Sequence, residues 1–80
     1  MKLSELKINK YAKVIRIDIP NNNIKRHLLE MGITRGVLVK LTKVAPMGDP
    51  LIIELRGYEL CVRKDEARFI LVEAVKWELL

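Results

Sequence analysis

Val37-Leu38-Val39-Lys40-Leu41-Thr42-Lys43, the loop Ala45-Pro46-Met47-Gly48-Asp49-Pro50, then Leu51-Ile52-Ile53-Glu54-Leu55, Arg56-Gly57 and Tyr58-Glu59-Leu60-Cys61-Val62 form the stretch whose reading decides the fold. In the first run Val37, Val39 and Leu41 share a face opposite Lys40 and Thr42, the period of two of a half-buried strand. Leu51, Ile53 and Leu55 resume that face. Arg56-Gly57 is a two-residue hairpin connection, so the third run returns antiparallel with Tyr58, Leu60 and Val62 inward. Pro46 and Pro50 offer no ladder donor and therefore bracket a loop, in which Gly48 supplies a permissive position.

Outside this hairpin the pattern continues. Lys13 to Ile19 predicts a strand with Ile15, Ile17 and Ile19 inward and Arg16 and Asp18 outward, Val14 being the exception. Pro20 and Asn21-Asn22-Asn23 stop it. Asn23 is positioned to cap a helix that carries Ile24, Leu28 and Met31 at helical spacing, and Gly32 ends that helix in a left-handed position. Thr34-Arg35-Gly36 turns the chain into the first central strand. Lys64 to Arg68 suits one helical turn before a last strand, Phe69 to Val75, and Leu3-Ser4-Glu5-Leu6 suits another turn laid on the core. This order predicts a mainly β fold, a small SH3-like barrel of about five strands with one main helix and short helical turns. A four- or five-stranded sheet with the helix across one face is the runner-up.

Eighty residues make one domain, and a chain of this size buries only roughly 60% of its unfolded surface. Half of the residues are apolar but only 5% are aromatic, so the core is built from Ile, Leu and Val, which favours strands. No apolar run approaches the roughly 20 residues needed to cross a bilayer, and Met1 to Ile8 lacks a secretory apolar core. The expectation is a cytoplasmic protein. The single cysteine, Cys61, excludes an intramolecular disulfide and every Cys-x-x-Cys motif. The net charge of +5 is uneven: residues 1–43 hold ten Lys/Arg against three Asp/Glu, and residues 44–80 hold five against seven. Such imbalance bears on association and solubility, not on fold.

Catalysis needs a constellation of acid, base or nucleophile, and this chain has one His, one Cys and scattered acids. His27 reads as a partly exposed helix residue or a capping contact, not a metal ligand, since no second ligand stands at a metal spacing. Cys61 falls opposite Leu60 and Val62 and reads as a small outward residue. Gly48-Asp49-Pro50 lacks the strand-to-helix context and the Lys-Ser/Thr pair of a phosphate loop. It reads as a rigid turn in which Asp49 accepts backbone hydrogen bonds, and Pro46 and Pro50 restrict the backbone enough to present Met47 to a partner. Arg26, Arg35, Lys40 and Lys43 are candidates for a basic patch. Nucleic acid is disfavoured as its partner, because Tyr58 reads as buried and Tyr11, Phe69 and Trp77 are dispersed instead of forming a stacking platform. Trp77, Leu79 and Leu80 place apolar surface after the last strand, which suggests packing on the barrel or on a neighbouring copy, giving a homo-oligomer.

Leu28-Leu29-Glu30-Met31-Gly32-Ile33, Gly36, Ala45-Pro46-Met47-Gly48-Asp49-Pro50, Arg56-Gly57-Tyr58-Glu59-Leu60, Val62-Arg63, Ala67 and Ile70-Leu71-Val72-Glu73, taken in order, strongly resemble the FeoA family. The likeness runs from Leu3 to Glu73 and places the domain at residues 1–75, with 76–80 as an apolar tail. It departs from the family at Ile8-Asn9 and Arg35-Gly36, where many relatives have Pro-Gly pairs; Asn replaces Gly well in a left-handed turn. The resemblance implies an SH3-like barrel without enzymatic activity that assists ferrous iron uptake by binding the cytosolic domain of the FeoB transporter, and so is peripheral to the membrane through that partner. The expected contact residues are Met47, Gly48 and Asp49 with Arg26, Arg35, Lys40 and Lys43. No cofactor is indicated, and direct metal binding is left open. The alternatives are a nucleic-acid-binding small barrel and a stand-alone relative of the SH3-like domain of metal-dependent repressors.

Overall fold

The computed structural model describes residues 1–76, so the expectation for Trp77, Leu79 and Leu80 lies outside the described residues. A 3₁₀ turn, Leu3–Glu5, leads into β1 (Tyr11–Ile17), α1 (Asn22–Glu30), β2 (Leu38–Val44), β3 (Leu51–Leu55), β4 (Tyr58–Val62), the single-turn α2 (Lys64–Ala67) and β5 (Ile70–Val75). The strands form one antiparallel sheet in the order β4-β3-β2-β1-β5. First and last strands are thus neighbours. Val39, Leu41, Leu51, Ile53, Leu55 and Val62 are buried as their alternation requires, and they join Leu3, Ala12, Val14, Ile33, Ile70 and Val72 in one core. No buried side chain among the described residues is polar or charged. Burial of aliphatic surface is therefore the main favourable contribution to stability.

Two bulges bend the sheet. Between β1 and β5, Val14 pairs with Val72 and Arg16 with Leu71, leaving Ile15 as the extra residue. The bulge corrects the expected inward set: Val14 is buried with Ile17 and Ile19, and Ile15 is only half-buried. An inserted residue shifts which side chains face inward. A second irregularity between Leu41 and Lys43 releases Thr42 from the β2–β3 ladder, and its hydroxyl donates to the Ile52 carbonyl (3.0 Å) instead.

The helix begins earlier than the spacing predicts. Asn21, not Asn23, is its cap, with Oδ1 accepting from the backbone N–H of Asn23 (2.9 Å) and of Ile24 (3.2 Å). Leu28 faces the core and Ile24 packs against it. At the other end Gly32 has φ 102°, and a Cβ there would meet the Tyr58 hydroxyl at 2.7 Å. Tyr58 is the second correction to the inward set: it is 38% exposed, its ring reaching over Gly32 instead of entering the core. At Asn9 the left-handed turn anticipated from sequence is present, with φ 69°, and its N–H donates to the Leu41 carbonyl (2.6 Å).

Two substitutions measure these local requirements. Asn21→Ala is expected to lower stability by about 1 kcal/mol, read as a drop in the chemical-denaturation midpoint at unchanged slope. Gly32→Ala is expected to cost more than about 1 kcal/mol from its positive φ alone, and adding Tyr58→Phe should restore part of the lost melting temperature by removing the hydroxyl that the new methyl meets.

Candidate functional site

The loop between β2 and β3 is where the sequence and the fold both place a presented surface. The Ala45 N–H donates to the Pro50 carbonyl (3.0 Å) and the Gly48 N–H to that of Ala45 (2.7 Å), closing the loop on itself. The Asp49–Pro50 peptide bond is cis. Asp49 Oδ1 accepts from the backbone N–H of Lys64 (3.0 Å), the first residue of α2. This N–H has no intrahelical partner, so the carboxylate satisfies an orphan donor while it anchors the loop. The Lys64 Nζ lies 3.5 Å from where a Cβ on Gly48 would stand. Met47, at the tip, is 92% exposed. An apolar side chain is thus held out by a loop that is fixed at both ends and tethered from the side.

The candidate basic residues occupy separate positions. Arg26 is exposed on α1, Arg35 is exposed in the turn before β2, and Lys43 is exposed beside the β2 bulge. Lys40 is half-buried on the outer face of β2, in register with Tyr11 of β1 and Glu54 of β3. Its Nζ sits 5.4 Å from the centre of the Tyr11 ring, within the range of a cation–π contact. It shares a depression of about 360 Å³ with Tyr11, Val37, Glu54 and Arg56. Arg56 is a site residue the sequence reading did not single out. Its backbone is left-handed, φ 48°, and its Nη2 donates to Thr34 Oγ1 (3.4 Å). The register that brings it beside Lys40 is a tertiary property, although Arg before Gly in a two-residue hairpin marked the turn itself.

A larger groove of about 570 Å³ opens on the far side of Tyr11, between the N-terminal turn and β5, lined by Met1, Leu6, Lys7, Lys10, Val75 and Lys76 among others. Sequence reasoning missed it, because residues from opposite ends of the chain form its walls. His27 and Cys61 are both exposed. Among the described residues, no group of three or more His, Cys, Asp and Glu is placed to hold a metal ion, and no helix is long and apolar enough to cross a membrane.

Five antiparallel strands around an aliphatic core, with one main helix and short helical turns, define a small SH3-like domain. The chain matches the FeoA domain over residues 1–74. It is 36% identical to the FeoA protein of Chlorobium tepidum, whose structure superposes with a TM-score of 0.90 over 95% of this chain and 71% of that one. The zinc-complexed FeoA of Stenotrophomonas maltophilia, described as a procaryotic SH3 domain protein, is 30% identical with a TM-score of 0.79, over 91% of this chain and 89% of its own. A fusion of Fe(2+) transport protein A with the Fe(2+) transporter FeoB from Porphyromonas gingivalis is 29% identical over 75 residues, 94% of this chain. This chain spans only 9% of that fusion protein. It belongs to the FeoA family of non-enzymatic accessory proteins of ferrous iron transport.

The tether predicts a local effect. Asp49→Ala is expected to speed exchange of the Lys64 amide hydrogen, while the amides of Ile53 and Leu60 in the β3–β4 ladder keep their protection.

Proposed function

We propose that this chain binds the cytosolic part of an FeoB-type ferrous iron transporter and modulates transport or nucleotide turnover there. The observation that carries the reading is the fusion relative, in which an FeoA segment and an FeoB transporter share one polypeptide. Covalent linkage raises the effective concentration of two modules that work together, and a separate chain achieves the same association through its own surface. Such a chain is peripheral to the membrane through its partner and acts on the cytosolic side. The β2–β3 loop is the part of the surface best suited to contact: Met47 offers exposed apolar area at low ordering cost, because Asp49 and the loop's own hydrogen bonds already restrict the backbone. Lys40, Lys43, Arg26 and Arg35 supply positive charge that steers encounter with an acidic face.

Calorimetric titration of this chain into the isolated cytosolic region of an FeoB transporter tests the reading. Met47→Asp is expected to weaken binding at least tenfold with the melting temperature unchanged, and Lys40→Glu to slow association with a reduced salt dependence. A parallel titration with single-stranded RNA or DNA is expected to give no saturable binding. Binding to nucleic acid alone, with a steep loss in salt, overturns the proposal.

A further inference from the structure

We propose that the free edge of β4 pairs with the β4 edge of a second copy of this chain, antiparallel and centred on Leu60, so that two sheets join into one. The sheet has two edges, β4 and β5. The β5 edge is covered in part by the chain's own start: Lys2 bridges Leu71, the Val72 N–H donates to the Met1 carbonyl (2.7 Å), and the Met1 ammonium donates to the Val72 carbonyl (2.9 Å). Among the described residues, β4 pairs with β3 alone.

The hairpin geometry shows which groups are open. With Arg56 and Gly57 as a two-residue turn, both at positive φ, Leu55 and Tyr58 form the closing hydrogen-bonded pair. Hydrogen-bonded and non-bonded pairs then alternate, so Tyr58, Leu60 and Val62 turn their backbone groups to β3, and Glu59 and Cys61 turn theirs away from the sheet. No hydrogen bond from the outward N–H or to the outward C=O of either residue occurs among the described residues. Beyond them the edge closes. The Arg63 N–H donates to Glu66 Oε1 (3.2 Å), and its carbonyl accepts from the N–H groups of Glu66 (3.0 Å) and Ala67 (2.8 Å). The strand holds no Pro and no Lys, and the β3–β4 register has no bulge, so of the features that blunt edges it keeps only its shortness and the charge of Glu59.

These limits select the register. Centring on Cys61 would require the occupied groups of Arg63, and centring on Glu59 would set two glutamates face to face and draw in the left-handed Gly57. Centring on Leu60 sets Glu59 of each copy opposite Cys61 of the other, with two hydrogen bonds for each such pair, and every open group is used. Leu60 then meets Leu60 of the second copy, and Tyr58 meets Val62, so half-buried Leu60 and exposed Tyr58 lose apolar surface to water. On the outer face Glu59 has Arg63 of the second copy as a diagonal neighbour, an attraction that moderates the repulsion between the two Glu59 side chains.

Sedimentation velocity from micromolar to millimolar concentration, together with cross-linking, tests this. The double variant Leu60→Cys, Cys61→Ser is expected to form a covalent dimer when oxidised by air with copper phenanthroline, because directly opposed Cβ atoms in such a pair stand about 5 Å apart. Glu59→Pro removes an outward N–H that the β3 ladder does not use. It is expected to abolish the concentration-dependent rise in mass while the circular dichroism spectrum stays that of the parent. A parent chain that remains monomeric at millimolar concentration, or a Leu60→Cys variant that yields no covalent dimer, overturns the proposal. So does a folded Glu59→Pro protein that self-associates like the parent. If Glu59→Pro fails to fold, the Leu60→Cys result decides alone.

Discussion

Everything in this domain depends on bending one sheet far enough to enclose a core made only of aliphatic side chains. A flat five-stranded sheet leaves one face wet, and among the described residues α1 is the one helix longer than a single turn available to cover it. The bulges at Ile15 and between Leu41 and Lys43 supply local twist at the price of two interrupted ladders. Thr42 recovers part of what the second bulge loses through its side-chain hydroxyl. Ile15 and Thr42, at these irregular points, are half-buried and stand outside the fully buried set, so the interruptions do not place a polar side chain in the core.

The central hairpin was legible because its evidence is local. Val39, Leu41, Ile53 and Leu55 alternate without interruption, and Arg56-Gly57 suits only a tight connection. Ile15 was misplaced because a bulge belongs to a pair of strands: nothing within Lys13 to Ile19 says that β5 will pass it with one residue fewer. Asn21, Asn22 and Asn23 have the same capping chemistry, so composition could not choose among them, and the start of the helix did. Tyr58 has the right parity to be buried, yet as the first residue of an edge strand it finds the α1 terminus instead of the core. The exposure of Met47 could be read from its flanking prolines, whereas the link from Asp49 to the Lys64 amide spans fifteen residues and arises only when the sheet places α2 beside the loop. Lys40 and Arg56 meet for a similar reason, through strand register.

The surface features fit an accessory protein of transport. Among the described residues no buried side chain is polar or charged, and the surface carries a tethered loop bearing Met47, a face where Lys40 lies over the Tyr11 ring, and a groove between the N-terminal turn and β5. Each adjoins strands whose positions the core fixes. The exposed cysteine and histidine take no part in these features.

The placement of β1 between β2 and β5 bears on how the chain matures. β1 has its longest ladder with β5, and the other three strands lie between them in the chain, so β1 is not fully paired until β5 has been made. At a synthesis rate of about 5–20 residues per second, β1 waits several seconds with one edge open, and the contacts of Met1 and Lys2 with Leu71 and Val72 cannot form before β5 is made. During that interval the β2–β3–β4 meander, whose contacts are all local, can form ahead of the rest. The ladder between β1 and β5 therefore closes only after the strands between them have been made.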